Sequence, residues 1–444
     1  MIDKKIFFND ALKHAGRIIT DASIPEGLQL LLIRDIYGRL RIAIDGEKEK
    51  YEELAVRLGS ALKELGPYVG DKETNALLFR GDFFNPDNIF QSPDILEITL
   101  PGVDVSIRLL DRQIVGQDWL RTESDQADVA TQSKPPRLVF YGVKGGIGRS
   151  SALAMLAFEM ARSGKRVLLM DFDLESPGLS GLLLTKDRLA DFGIVDWFIE
   201  DSVGQGDLVL SRMISVSPIS EHTQGEIRVA AAMGMDEKNY LEKLSRVYAD
   251  VALQGQQERF SHRVRRLVEL LEAQEKPDIV LIDSRAGLHD LAAVSIVGLS
   301  TYSFLFAVDT AQTWQGYNLL FSHWQAHPAV LRKIRDRLVI VEALFPENDQ
   351  SARAARFIEH SYTLFSETIY EKIEPGMAPD QAIYNFDIND ESAPHYPLRI
   401  KWNNRFQEFE PLMIPKGILN DADIAATFGD FLDGAKRLAE GEIE

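Results

Sequence analysis

The run Val143-Lys144-Gly145-Gly146-Ile147-Gly148-Arg149-Ser150-Ser151 gathers glycines, two cations and two hydroxyls into one short stretch. The chemistry it suits is the binding of a phosphate chain. Gly145, Gly146 and Gly148 allow backbone conformations that a Cβ forbids, so that successive N–H groups can converge on one anion. Ser150 stands where such a loop carries the hydroxyl that ligates Mg2+, and Arg149 stands where lysine is usual. Two further segments bring carboxylates: Asp171-Phe172-Asp173-Leu174-Glu175-Ser176-Pro177-Gly178 and Asp283-Ser284-Arg285-Ala286-Gly287. At a strand end, a carboxylate such as Asp173 can orient a Mg2+-bound or attacking water. Asp283, closing the apolar run Ile279-Val280-Leu281-Ile282, is placed to partner Mg2+, and Gly287 suits a loop that responds to phosphate. Taken singly, Asp171 or Asp283 reads equally well as a strand-end residue capping a helix. Three segments in this order favour a shared site.

Those residues need a scaffold that delivers them to one rim. Leu138–Tyr141, Arg166–Met170, Ile227–Ala232, Asp278–Ile282, Ser303–Val308 and Leu338–Leu344 read as strands, most of them apolar on both faces, as a parallel sheet covered by helices requires. Ser151 to Arg162 supplies the first crossover helix, with Leu153, Leu156, Ala157 and Met160 on one face, and its N-terminus adds partial positive charge to the loop. The predicted architecture is α/β: a mostly parallel phosphate-loop core over 137–346 with helices on both faces. A small α+β accessory or interaction domain precedes it over 1–120. There Leu28–Arg34 and Arg39–Asp45 suggest a hairpin, Leu54, Leu58, Leu62 and Leu65 a helix, and Val103 to Leu109 a half-buried strand. Asp111, Arg112, Gln113, Asp118 and Trp119 form a polar cluster best read as a structural ion pair. Residues 121–136 lose periodicity and read as a linker. A helical extension over 347–444 ends in an amphipathic helix, Asp421 to Ala439, whose acid-rich polar face suits docking on the core better than binding a membrane.

Composition narrows the functions available. With 444 residues the chain is long enough for two or three domains, and with no cysteine it makes no disulfide and no Cys-ligated zinc or iron–sulfur site. No apolar run approaches a membrane span, and a cytoplasmic location is expected. The formal net charge of −19 disfavours direct nucleic-acid binding, which rests on phosphate neutralisation by Lys and Arg. The nearest basic cluster, Arg263, Arg265 and Arg266, reads as a solvated helix face.

Lys144-Gly145-Gly146-Ile147-Gly148-Arg149-Ser150 resembles the deviant Walker A loop of the ParA/MinD class of P-loop ATPases, over a region of roughly 137–346. More narrowly it is similar to a bacterial subgroup, the KGGVGR-motif variant ATPases, in which the second lysine is arginine. The resemblance implies ATP and Mg2+ as cofactors, with the nucleotide bound by Gly145 to Ser151. It also implies that Asp173 positions the hydrolytic water, that Ser150 and Asp283 serve the metal, and that Lys144 reaches the nucleotide of a second subunit in an ATP-sandwich homodimer. The expected function is a nucleotide switch with slow Mg2+-dependent hydrolysis that signals to a partner protein through the N-terminal domain or the C-terminal extension. Arg149 keeps the charge but replaces a compact ammonium with a planar fork, which leaves open a non-hydrolysing nucleotide-binding scaffold or regulatory subunit, in the setting of bacterial conflict or defence systems. Where the family places an Asn that reads adenine, this chain has Ala343-Leu344-Phe345-Pro346.

Overall fold

A computed structural model describes the chain except residues 1–5, 70–75, 101–105, 123–133, 237, 254–255, 373–382, 407–411, 413–419 and 442–444. Most of the linker read at 121–136, and the start of the strand read at 103–109, therefore lie outside the described residues. The chain divides into two compact units, Met1–Gln117 and Asp118–Glu444.

In the small unit, β1 (Leu30–Arg34) and β2 (Leu40–Ile44) form the antiparallel hairpin that the sequence predicts. Asp35 closes its turn by accepting from the N–H groups of Tyr37 and Arg39, each at 2.9 Å. With β3 (Leu77–Phe79), β4 (Ile95–Ile98) and β5 (Ile107–Asp111) they make a sheet of order β3-β2-β1-β5-β4. Helices α1 (Phe8–Asp21) and α2 (Glu52–Leu62) bury Ala11, Ala15 and Ile19, and Leu54, Leu58 and Leu62, at helical spacing. The polar cluster of 111–119 proves to be two structural ion pairs. Asp111 joins Arg34 across the sheet, and Asp118 joins Arg121 at 3.0 Å.

The large unit is built on an eight-stranded sheet. Its strands are β6 (Arg137–Gly142), β7 (Arg166–Phe172), β8 (Ile214–Val216), β9 (Glu226–Ala230), β12 (Ile279–Ser284), β13 (Tyr302–Ala307), β14 (Leu338–Phe345) and β15 (Leu398–Lys401). A separate hairpin pairs β10 (Val251–Leu253) with β11 (Gln256–Glu258). The order β15-β14-β13-β6-β12-β7-β9-β8 is parallel throughout except at β8, which runs antiparallel to β9. The chain passes from β6 to β7 and β9, then returns to insert β12 beside β6 and place β13 on its other side. The carboxyl end of β6 is thus where successive connections diverge, the place where open α/β sheets bind ligands.

Both faces are covered, which is why the strands carry apolar residues in both directions. Leu138 and Phe140 pack with α3 (Arg149–Arg162) and α9 (Asp421–Glu440); Val139 and Tyr141 pack with α6 (Phe260–Glu275), α7 (Ala311–Gln325) and α8 (Gln350–Thr368). Phe431 of α9 lies with its ring centroid 5.4 Å from Phe304, 6.0 Å from Phe306 and 6.1 Å from Phe140. Burying such a side chain contributes about 2–3 kcal/mol. The extension read at 347–444 therefore supplies both an edge strand and a helix to this core.

Arg263 corrects one sequence expectation. It is fully buried, donating from Nε to Asp201 at 2.9 Å and to the carbonyls of Ala249 and Phe198, while Arg266 grips the same Asp201 bidentately at 2.9 Å. This network staples α6 to α4 (Ile194–Ser202) instead of facing solvent, because Arg263 shares a helix face with Phe260, Val264 and Leu267.

On the entry side of the unit, Trp119 is buried, its carbonyl accepting from Trp324 Nε1 at 3.0 Å and its ring lying edge-on to Tyr141 at 6.1 Å. On the far side of 121–136, Lys134 pairs with Glu269 at 3.0 Å and Arg137 holds Glu272 bidentately at 2.7 Å. Among the described residues no helix is long and apolar enough to cross a membrane.

Candidate functional site

Strand β6 ends at Gly142, and the chain turns through Val143 to Gly148 before α3 begins at Arg149, two residues earlier than the sequence predicts. Gly146 and Gly148 have φ of 74° and 84°, the left-handed region that disfavours a Cβ. The N–H groups of Lys144 to Gly148 donate to no described residue, so the loop presents free donors beside the helix N-terminus. Ile147 folds back onto the core, and Ser150 and Ser151 are half-buried in the first turn of α3. Lys144 stands apart from these residues. It is exposed, and its ammonium makes no hydrogen bond or ion pair with a described residue.

Behind the loop, β12 and β7 deliver the carboxylates. Ser150 Oγ donates to Asp283 Oδ2 at 2.6 Å, and Asp283 is buried with its other oxygen unpartnered. Burial pushes the Asp283 carboxyl up to about 6, against the opposing Arg149 charge and Ser150 hydrogen bond. Asp173 Oδ2 lies 3.5 Å from Arg149 Nη2, and its Oδ1 is buried without a partner. Its carboxyl is also raised by burial, with the charges of Arg149 and Arg285 opposing. Arg149 Nη1 is buried and unpartnered as well. Asp171 acts on the backbone instead. Its oxygens accept from the N–H groups of Asp173 and Gly178 at 3.2 Å and of Leu179 at 3.1 Å, and so it shapes the loop that presents Asp173.

The fold thus brings together Arg149, Ser150, Asp173 and Asp283, and leaves a buried cation nitrogen and two buried carboxylate oxygens without partners. Leaving such groups unpaired costs about 1–3 kcal/mol each, so the arrangement fits a ligand that offers anionic oxygens and a cation together. Among the described residues no group of three or more His, Cys, Asp or Glu is arranged to hold a metal ion. A Ser–Asp pair is instead what Mg2+ uses when phosphate oxygens and water complete its shell, and Ser150 with Asp283 fits that role.

Sequence reasoning missed a second cluster beside the first. Glu175 Oε1 accepts from the Tyr248 hydroxyl and pairs with Arg285 Nη1 at 2.6 Å and with His289 Nε2 at 3.3 Å. Burial alone would raise this carboxyl, but the hydrogen bonds from His289 and Tyr248 and the charge of Arg285 hold it down at about 2. Glu175 and Arg285 each lie two residues beyond Asp173 and Asp283, and that spacing was the available signal. Tyr248 and His289 gave none, since only the fold brings them there.

Residues 136–187 match the family model for the cellulose biosynthesis protein BcsQ. No curated protein matches the sequence. Among solved structures, a ParA-family ATPase from Chlorobium tepidum is 13% identical, with 67% of this chain and 98% of that one covered and a TM-score of 0.41. A plasmid partition protein from Borrelia burgdorferi is 15% identical, covering 51% of this chain and 86% of its own at a TM-score of 0.35. Cobyrinic acid a,c-diamide synthase from Mycobacterium smegmatis, solved with an ATP analogue and magnesium, is 13% identical, with coverages of 54% and 86% and a TM-score of 0.37. Across 136–187, the strand, glycine loop and helix of this chain are thus similar to those of the BcsQ family.

Proposed function

We propose that the chain is an ATP-dependent switch, in which nucleotide and Mg2+ bind at the loop, two copies close on each other, and slow hydrolysis resets them. The observation that carries this reading is the pair of cations. Arg149 is buried beside Asp173, placed to neutralise phosphate from within the subunit. Lys144 is exposed on a loop that gives it no internal partner among the described residues, so it is available to a second copy. Ser150 and Asp283 would hold Mg2+, which would supply positive charge to offset that of the phosphates. Asp173 orients water, and the loop N–H groups and the α3 N-terminus bind phosphate oxygens. The small unit and the segment 347–444 pass the nucleotide state to a protein partner. Light scattering with and without ATP tests the association: the mass doubles with ATP in the wild type and stays monomeric in Lys144→Ala. A nucleotide-saturated wild type that remains monomeric overturns the dimer.

A second reading has its own observation. The Arg149 guanidinium lies against Asp173, and if it stays there when nucleotide binds, Asp173 is engaged and the chain is a non-hydrolysing scaffold. Phosphate release under single-turnover conditions separates the two readings. Release that is abolished by Asp173→Ala supports the switch, and no release from the wild type supports the scaffold.

A further inference from the structure

The Glu175 cluster lies outside the phosphate-binding residues, yet it joins the two loops that carry them. We propose that Glu175 is a positioning residue, yoking the loops that present Asp173 and Asp283 so that they order and loosen as one body. This rests on the reading of the site as one for Mg2+ and ATP.

Three side chains from two elements meet on one carboxylate oxygen. Arg285 and His289 come from the loop after β12, and Tyr248 follows the helix α5 (Tyr240–Val247). The His289 contact has a defined proton. Nδ1 accepts from the Leu291 N–H at 3.4 Å, so the neutral ring carries its hydrogen on Nε2, toward Glu175. Tyr240, at the start of α5, donates its hydroxyl to the Leu174 carbonyl at 2.6 Å, so both ends of that helix hold the Glu175 loop.

The second loop is tied back to the phosphate loop as well. The Gly287 N–H donates to the Gly142 carbonyl at 3.1 Å, and Tyr141 donates its hydroxyl to the Gly287 carbonyl at 3.2 Å. A displacement at the end of β6 therefore reaches Gly287, then Arg285 and His289, then Glu175, which is two residues from Asp173.

An exposed ion pair would be a poor yoke, because long side chains lose entropy for little gain in high dielectric. This one is different in kind. Glu175 and Arg285 have side-chain exposures of 21% and 34%, and the other donors are ring side chains fixed by packing. Tyr248 has its ring centroid 5.1 Å from Phe260 and 5.0 Å from His289. Pre-placed donors of this sort make a carboxylate a rigid junction. The second oxygen of Glu175 is buried without a partner, so the junction has no alternative anchor within the described residues.

Hydrogen exchange on the full chain tests the yoke without relying on activity. In the ligand-free protein, Glu175→Gln is expected to speed exchange about tenfold in both 173–179 and 285–291, leaving β6, β7 and β12 protected, as local opening of one cooperative unit does. Faster exchange in only one segment, or in neither, overturns the proposal. With Mg2+ the variant binds a non-hydrolysable ATP analogue within about threefold of wild type, while with ATP its turnover falls about tenfold in kcat and not in KM. Equal losses in affinity and turnover also overturn it. Arg285→Gln and Tyr248→Phe each remove one arm and loosen both segments even if Glu175→Gln does not fold. A wild type that fails to bind the analogue defeats the ATP reading, while the ligand-free exchange still decides the yoke.

Discussion

Asp283 sits 2% exposed with one hydroxyl for company, and its carboxyl is pushed up to about 6 by burial. A raised folded value means that the native state holds the proton more tightly than the unfolded chain does. The penalty for charging Asp283 is therefore fully present above pH ~6, and it is relieved as pH falls from there toward the unfolded value of 3.8. A carboxyl raised this far makes charging it in the folded state cost roughly 3 kcal/mol more than in the unfolded chain. Asp283→Asn keeps an acceptor for Ser150 without the charge, so in metal-free buffer it is expected to melt several degrees above wild type at pH ~7.5 and to show a weaker dependence on pH between about 4 and 6. A lower Tm for the variant at the alkaline end would contradict the buried charge. Added Mg2+ and ATP should reverse the ranking, because only the wild type gains a metal contact. The motif marked Asp283 as a candidate metal partner, but a sequence carries no measure of how dry the site is.

At the level of elements, the legible parts were those whose residues repeat one pattern. The six strands read from apolar runs are all in the sheet, since burial on both faces writes itself into consecutive residues. The two that were missed are its edges. β8 is three residues long, and β15 alternates as Leu398-Arg399-Ile400-Lys401 after a proline-rich turn. Edge strands need no continuous apolar run, and charges at an edge discourage unwanted pairing. Charge patterning misled in the same way at α6, where the neighbours that bury Arg263 come from α4, about sixty positions earlier. The consequence can be measured. Asp201→Ala leaves Arg263 buried without its carboxylate, and it should cost about 3–5 kcal/mol, read as a lower denaturant midpoint with an unchanged m-value. A shift no larger than that of a surface substitution would mean that the network contributes nothing to stability. The site followed the same division: residues on one loop were readable, and the Glu175 cluster needed the contact between loops.

For the whole molecule, the boundary between units falls between Gln117 and Asp118, ahead of the unperiodic stretch that the sequence marks as a linker. Trp119 on one side of that stretch and Arg137 on the other are both fastened into the large unit. The described residues on both sides of that stretch thus belong to the large unit. Cleaving the peptide there is expected not to release the small unit, because the fragment carrying it keeps Trp119 packed against Tyr141 of the strand that bears the glycine loop. A specific protease site placed at residue 128 and cut to completion should yield two chains that co-elute in native buffer and separate in denaturant, and Trp119→Ala should let them part without denaturant. The protein could then be made as two complementing pieces, with the tryptophan as the plug that joins them.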